Sequence, residues 1–136
     1  MGAIAGLAHV NLIVPVGTLE QADQFYAGVS GLTKVEAPVL QRDRLSWFDI
    51  TPNGQQIHIA ASSALVEPRS HRHPCFKIGS LEEMLALQKK VYEHQVAGGN
   101  AAVLEADKPG GENSGVEYPS RFFARDYAGN RLEISL

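Results

Sequence analysis

Hydrophobic and polar positions along the chain alternate in short runs, switch to helical spacing, and then repeat the same order. Over residues 9–14, Val10, Leu12 and Val14 share one face and His9, Asn11 and Ile13 the other, which predicts a strand ended by Pro15 and Gly17. Thr18-Leu19-Glu20-Gln21 has the form of a capping box. Behind it Leu19, Ala22, Phe25 and Tyr26 recur at helical spacing, predicting a helix to about Val29 that Ser30-Gly31 stops. A short strand follows over 33–39, a polar turn over 41–44 and a strand over 45–50. Asn53-Gly54 is a hairpin signal, and the fourth strand runs over 55–61.

After a linker at 62–71 containing Pro68, the pattern restarts. Pro74, Phe76 and Ile78 alternate with His73, Cys75 and Lys77, and Pro74 marks an edge or first position. Ser80-Leu81-Glu82-Glu83 is a second capping box. Its helix runs to about Val96, with Leu81, Met84, Leu85, Leu87, Val91 and Tyr92 available for an apolar face and Gly98-Gly99 as the stop. A strand over 101–105, a Gly-rich loop over 107–115, a strand over 118–125 and a turn over 126–130 follow. In the last strand Leu132, Ile134 and Leu136 oppose Glu133 and Ser135. Both passes read βαβββ.

The ends of the two passes echo each other. Residues 47–60 align with 122–135 without a gap, placing Trp47 on Phe122, Phe48 on Phe123, Gly54 on Gly129 and His58 on Glu133. The interval from His73 to Glu133 exceeds that from His9 to His58 by 11 residues, 60 against 49, and the Gly-rich loop accommodates them. The expectation is one α+β domain over 1–136, built from two tandem βαβββ modules (about 5–62 and 72–136) as a curled mixed sheet around a central cavity.

Composition narrows the partners. A net charge of −3 gives no basic footprint for nucleic acid. No apolar run approaches the roughly 20 residues of a membrane span, and the N-terminus lacks the basic region of a signal peptide. The single cysteine, Cys75, excludes an intrachain disulfide and suits a reducing, cytoplasmic setting.

His9, His58, His73 and Glu133 each fall on the first or last strand of a pass, on the face opposite the aliphatic run. Pointed into one cavity, three imidazoles and a carboxylate form a site for one divalent ion: Fe, Mn, Ni, Co or Zn. Asn11 and Gln56 share their parity and line the same cavity; Cys75 is a pocket wall. Trp47, Phe48, Phe122 and Phe123 divide between core and wall. Arg121, Arg125 and Arg131 either hold an anionic substrate or pair with surface carboxylates. Asp126 reads as a turn former. His71 and His94 read as ordinary polar residues, His94 at a helix end where a cation is favoured.

These residues resemble the vicinal oxygen chelate superfamily, which includes glyoxalase I, extradiol dioxygenases and the bleomycin- and fosfomycin-resistance proteins. The resemblance rests on His9-Val10-Asn11-Leu12, Phe25-Tyr26 with Gly31-Leu32, the His73 strand, and above all residues 123–133 with their Asp-x-x-Gly…Glu pattern. It implies two βαβββ modules around a metal, with His9, His58, His73 and Glu133 as ligands, and modules that pair within a chain or between chains of a homodimer. His58 stands where the glyoxalases carry Glu or Gln, and a dioxygenase would use His9, His73 and Glu133. The expected function is a metal-dependent, glyoxalase-like lyase or isomerase stabilising an enediolate-like oxyanion on a small oxygenated substrate. Glu133 is its catalytic base, and Asn11, Trp47, Gln56, Cys75, Arg121 and Phe123 contact the substrate. The alternatives are an Fe(II) extradiol-type dioxygenase and a non-enzymatic, antibiotic-sequestering protein.

Overall fold

The computed structural model describes residues 2–110 and 120–136. Part of the Gly-rich loop and the first residues of the strand expected at 118 lie outside them.

The first half runs β1 (His9–Pro15), α1 (Leu19–Ala22), β2 (Thr33–Val35), β3 (Leu45–Asp49) and β4 (Gln56–Ser62). The second runs β5 (Cys75–Lys77), α2 (Leu81–Ala97), β6 (Glu105–Ala106), β7 (Arg121–Arg125) and β8 (Arg131–Ser135). The curled mixed sheet consists of two four-stranded sheets, ordered β1-β4-β3-β2 and β5-β8-β7-β6. In each, the first strand lies parallel to the last, and every other pairing is antiparallel. The α+β fold of the sequence reading is the fold observed.

Alternation places Phe48, Ile57 and Ile59 of one sheet and Phe122, Leu132 and Ile134 of the other against the helices, in one core shared by both halves. Burying each such side chain contributes about 1.5–3 kcal/mol. His58 and Glu133 therefore point the opposite way.

Several local expectations change. After α1 the first helix continues as a π-helix over Asp23–Val29, and this wider turn buries the adjacent Phe25 and Tyr26 together. Thr18 precedes α1, but its hydroxyl donates to the Pro15 carbonyl at 2.6 Å and caps no helical N–H. Ser80 does cap α2, accepting from the Glu83 N–H at 3.1 Å. On α2, Leu81 and Leu85 are exposed, and the buried stripe is Met84, Gln88 and Val91. Gln88 donates to the Asp107 carbonyl at 3.1 Å, so it belongs to that stripe. His94 is partly buried against Phe25, and burial lowers its pKa, so the cation is disfavoured there. His73 lies just before β5, whose pairing begins at Cys75, although the Glu133 N–H still bonds the Pro74 carbonyl at 3.1 Å.

The gapless repeat also needs a correction. Trp47 pairs across from His58, and Phe123 across from Glu133. Trp47 therefore corresponds to Phe123, and Phe48 to Phe122. The turn between β3 and β4 holds residues 50–55, and that between β7 and β8 holds 126–130, one fewer. An ungapped alignment puts that single residue into the strand and swaps its faces.

Candidate metal centre

The candidate residues gather into two clusters, one on each sheet. On the first, Trp47 of β3, His58 of β4 and His9 of β1 stack across neighbouring strands. Trp47 and His58 are 4.1 Å apart at 5°, and His58 and His9 are 3.9 Å apart at 18°. Gln56 Nε2 donates to Asp49 at 2.8 Å, which turns Gln56 Oε1 toward His58 Nε2 at 2.9 Å. Since that oxygen only accepts, His58 carries its proton on Nε2 and its lone pair on Nδ1. Burial, then the neighbouring His9, lower the His58 pKa, which favours the neutral ring a metal requires. Asn11 lies opposite His58 in the β1–β4 register and is exposed.

On the second sheet, His73 Nε2 lies 3.1 Å from Glu133 Oε1, and the Cys75 thiol donates to Glu133 Oε2 at 3.2 Å. His73 Nδ1 lies 2.6 Å from the His71 carbonyl and must donate to it. Metal-ligating histidines usually fix their second nitrogen in this way. Arg121 approaches Glu133 at 3.9 Å. Burial pushes the Glu133 carboxyl up, but the hydrogen bond from Cys75, the contact with His73 and the charge of Arg121 outweigh it, and the net pKa is lowered. The ring of Phe123 supports Arg131 at 4.3 Å and Arg121 at 5.2 Å.

The open edges β1 and β5 border a groove of about 850 Å³, lined by His9, Asn11 and Gln56 on one side and His73, Cys75 and Arg131 on the other. Every ligand and substrate residue named from the sequence thus falls in one cluster, the other or the groove. His71 and Asp49 were not among them. Arg131, read from the sequence as either an anion holder or a surface partner, lines the groove two positions from Glu133. The roles of His71 and Asp49 depend on contacts that no spacing displays.

Neutral imidazoles and an ionised carboxylate suit a divalent ion, and the His73–Glu133 pair fits it as it stands. The stacked pair fits less completely: parallel rings carry their in-plane lone pairs side by side, so the exposed His9 ring must turn out of the stack before both imidazoles can reach one ion. Among the described residues, no three ligand-type side chains are grouped to hold one ion.

No protein-family model and no curated protein matches the sequence. Solved structures do match. A protein described as a glyoxalase family member from Bacillus anthracis aligns at 25% identity and a TM-score of 0.69, over 98% of this chain and 96% of its own. The chain has the vicinal oxygen chelate fold. A variant of the fosfomycin resistance protein FosX from Listeria monocytogenes, complexed with Mn(II) and 1S,2S-dihydroxypropylphosphonic acid, aligns at 19% identity with a TM-score of 0.68, covering 97% and 92%. A glyoxalase/dioxygenase from Nostoc punctiforme aligns at 19% and 0.67, covering 98% and 91%. In this chain the helices cover one face of each sheet and leave the other face for polar side chains. No helix among the described residues is long and apolar enough to cross a membrane.

Proposed function

We propose that this chain is a divalent-metal-dependent enzyme performing lyase or isomerase chemistry on a small oxygenated molecule, with His9, His58, His73 and Glu133 as ligands. The observation that carries this reading is the His73–Glu133 pair. With Nδ1–H committed to the His71 carbonyl, the Nε2 of a neutral His73 turns a lone pair toward a carboxylate oxygen 3.1 Å away. Two acceptors so placed repel unless a proton or a metal ion stands between them. Mn(II) and a vicinal diol in a FosX complex of the same fold support a divalent ion and a small oxygenated substrate here.

The ion, when bound, supplies Lewis-acid polarisation of substrate oxygens. Glu133 supplies negative charge and takes a proton from the carbon beside the polarised carbonyl. The hydrogen bond from Cys75 and the nearby charge of Arg121 make it a good ligand and a modest base, so proton transfer requires the thiol contact to be given up. Trp47 and Phe123 wall the two halves, and Asn11 and Gln56 offer hydrogen bonds to substrate oxygens.

A homodimer with sites shared between chains completes the reading. Within one chain the ligands stand as two pairs, β1 and β5 are open edges, and Leu7 and Leu65 on the groove are 78% and 94% exposed. A second copy would bring His9 and His58 of one chain to His73 and Glu133 of the other. The test is elemental analysis after loading with Mn, Fe, Ni, Co or Zn. About one ion per chain in the wild type and none in Glu133→Ala is expected; a wild type that cannot be loaded overturns the reading. Oxygen uptake in the iron-loaded form would replace the lyase assignment with a dioxygenase.

A further inference from the structure

We propose that Arg131 is the anchor for an anionic group of the substrate, which makes the substrate class an oxyanion-bearing molecule, carboxylate or phosphoryl. This rests on the site assigned above and adds its specificity.

Arg131 is held from two sides. Its guanidinium carbon lies 4.3 Å from the centre of the Phe123 ring, and Nη1 donates to His71 Nδ1 at 3.1 Å. Stacking and that one hydrogen bond fix the plane of the guanidinium and leave further N–H groups of its five uncommitted. No carboxylate pairs with Arg131 among the described residues. Among the described residues, three carboxylates share this side of the second sheet, and each is engaged elsewhere. Glu105 pairs with Arg125 at 3.6 Å, Asp107 accepts the Phe123 N–H at 3.0 Å, and Glu133 is held by His73 and Cys75. Arg125 is committed in turn to the carbonyls of Gly129 and Ser70, at 3.0 and 3.1 Å.

Arg131 lines both the groove between β1 and β5 and a smaller cavity of about 390 Å³ beside Phe123. It stands two positions from Glu133 on the same face of β8. A small molecule reaching Glu133 with one end can therefore meet this guanidinium with the other. A planar fork on an aromatic ring, without a protein anion, matches the paired oxygens of a carboxylate or phosphoryl group. Among the described residues, the flanking ion pairs leave no carboxylate for Arg131.

The test is a calorimetric titration of the whole protein, metal-free and Mn-loaded, with inorganic phosphate and separately with acetate. Saturable binding of at least one anion is expected, weakened tenfold or more in Arg131→Gln. Arg131→Lys should recover part of the loss, because charge returns without the fork. Lys89→Gln, a change at an exposed helix position, should bind as the wild type does. The two anions distinguish tetrahedral from planar recognition. Equal affinity in the wild type and in a folded Arg131→Gln overturns the proposal, as does the absence of saturable binding in both metal states. If the protein takes up no metal but anion binding still depends on Arg131, the subsite stands and the metal assignment falls.

Discussion

Tyr26 donates a 2.6 Å hydrogen bond to Asp126 across 100 positions of sequence, and both side chains are buried. Asp126 also accepts the N–H groups of Ala128 and Asn130, each at 2.9 Å, and the Asn130 side chain at 3.0 Å. That side chain in turn reaches the Ile13 carbonyl at 2.8 Å. One turn of the second half is thereby tied to the first helix and to β1. Tyr26→Phe strips a donor from a buried carboxylate and should cost about 1–3 kcal/mol, read from urea denaturation. A smaller loss than in an exposed control such as Lys89→Ala would mean that the network does not couple the halves.

His94 gives the fold a pH dependence of definite sign. Burial lowers its pKa below 6.5, so the unfolded chain binds the proton more readily than the folded one. The stability of the neutral ring is complete above 6.5 and is lost as pH falls through 6.5 toward the folded value. Between about pH 7.5 and about pH 5.5 the wild-type Tm should fall further than that of His94→Phe. His58 titrates in both proteins, so the difference isolates His94. Parallel curves would assign the acid sensitivity elsewhere.

Cys75 is exposed as a residue, yet its thiol should be inert. Partial burial, followed by the hydrogen bond to Glu133 and its charge, push the pKa up to about 11. Alkylation by iodoacetamide near pH 8 should be slower than for an ordinary cysteine and faster in Glu133→Gln. An unchanged rate in that variant would show that Glu133 does not restrain the thiol.

Mixing His58→Ala with Glu133→Ala tests whether sites are shared. Each variant damages a different half of the ligand set. If sites span two chains, refolding the two together should restore about a quarter of the wild-type metal, since half of the dimers are mixed and each rebuilds one intact site of two. No restoration would place each site within one chain.

Much of this was legible in the sequence, for reasons particular residues show. Period-two alternation around His58 and Glu133 exposes the face each side chain takes, because a strand has only two. Ser80 worked as a cap signal because its hydroxyl accepts the Glu83 N–H; Thr18 carried the same motif, but its hydroxyl donates to the Pro15 carbonyl instead. Gln88 in the buried stripe and the stacking of His9 on His58 escaped notice, because both depend on partners distant in the chain. Metal sites pose a stricter problem: spacing identifies which side chains share a face, while tautomers such as those of His58 and His73 are set by Gln56 and the His71 carbonyl.

The unequal turns of the two hairpins show where this fold tolerates changes of length. The β3–β4 turn contains a residue that the β7–β8 turn lacks, yet His58 faces Trp47 as Glu133 faces Phe123. The surplus is absorbed in the bend, where closing a slightly longer loop costs only a fraction of a kcal/mol. The exposed stretch from Pro52 to Gln55 is therefore an insulated port: a label or short tag spliced in there should leave the ligand frame in register. The same residue added within β4 would turn every following side chain inside out.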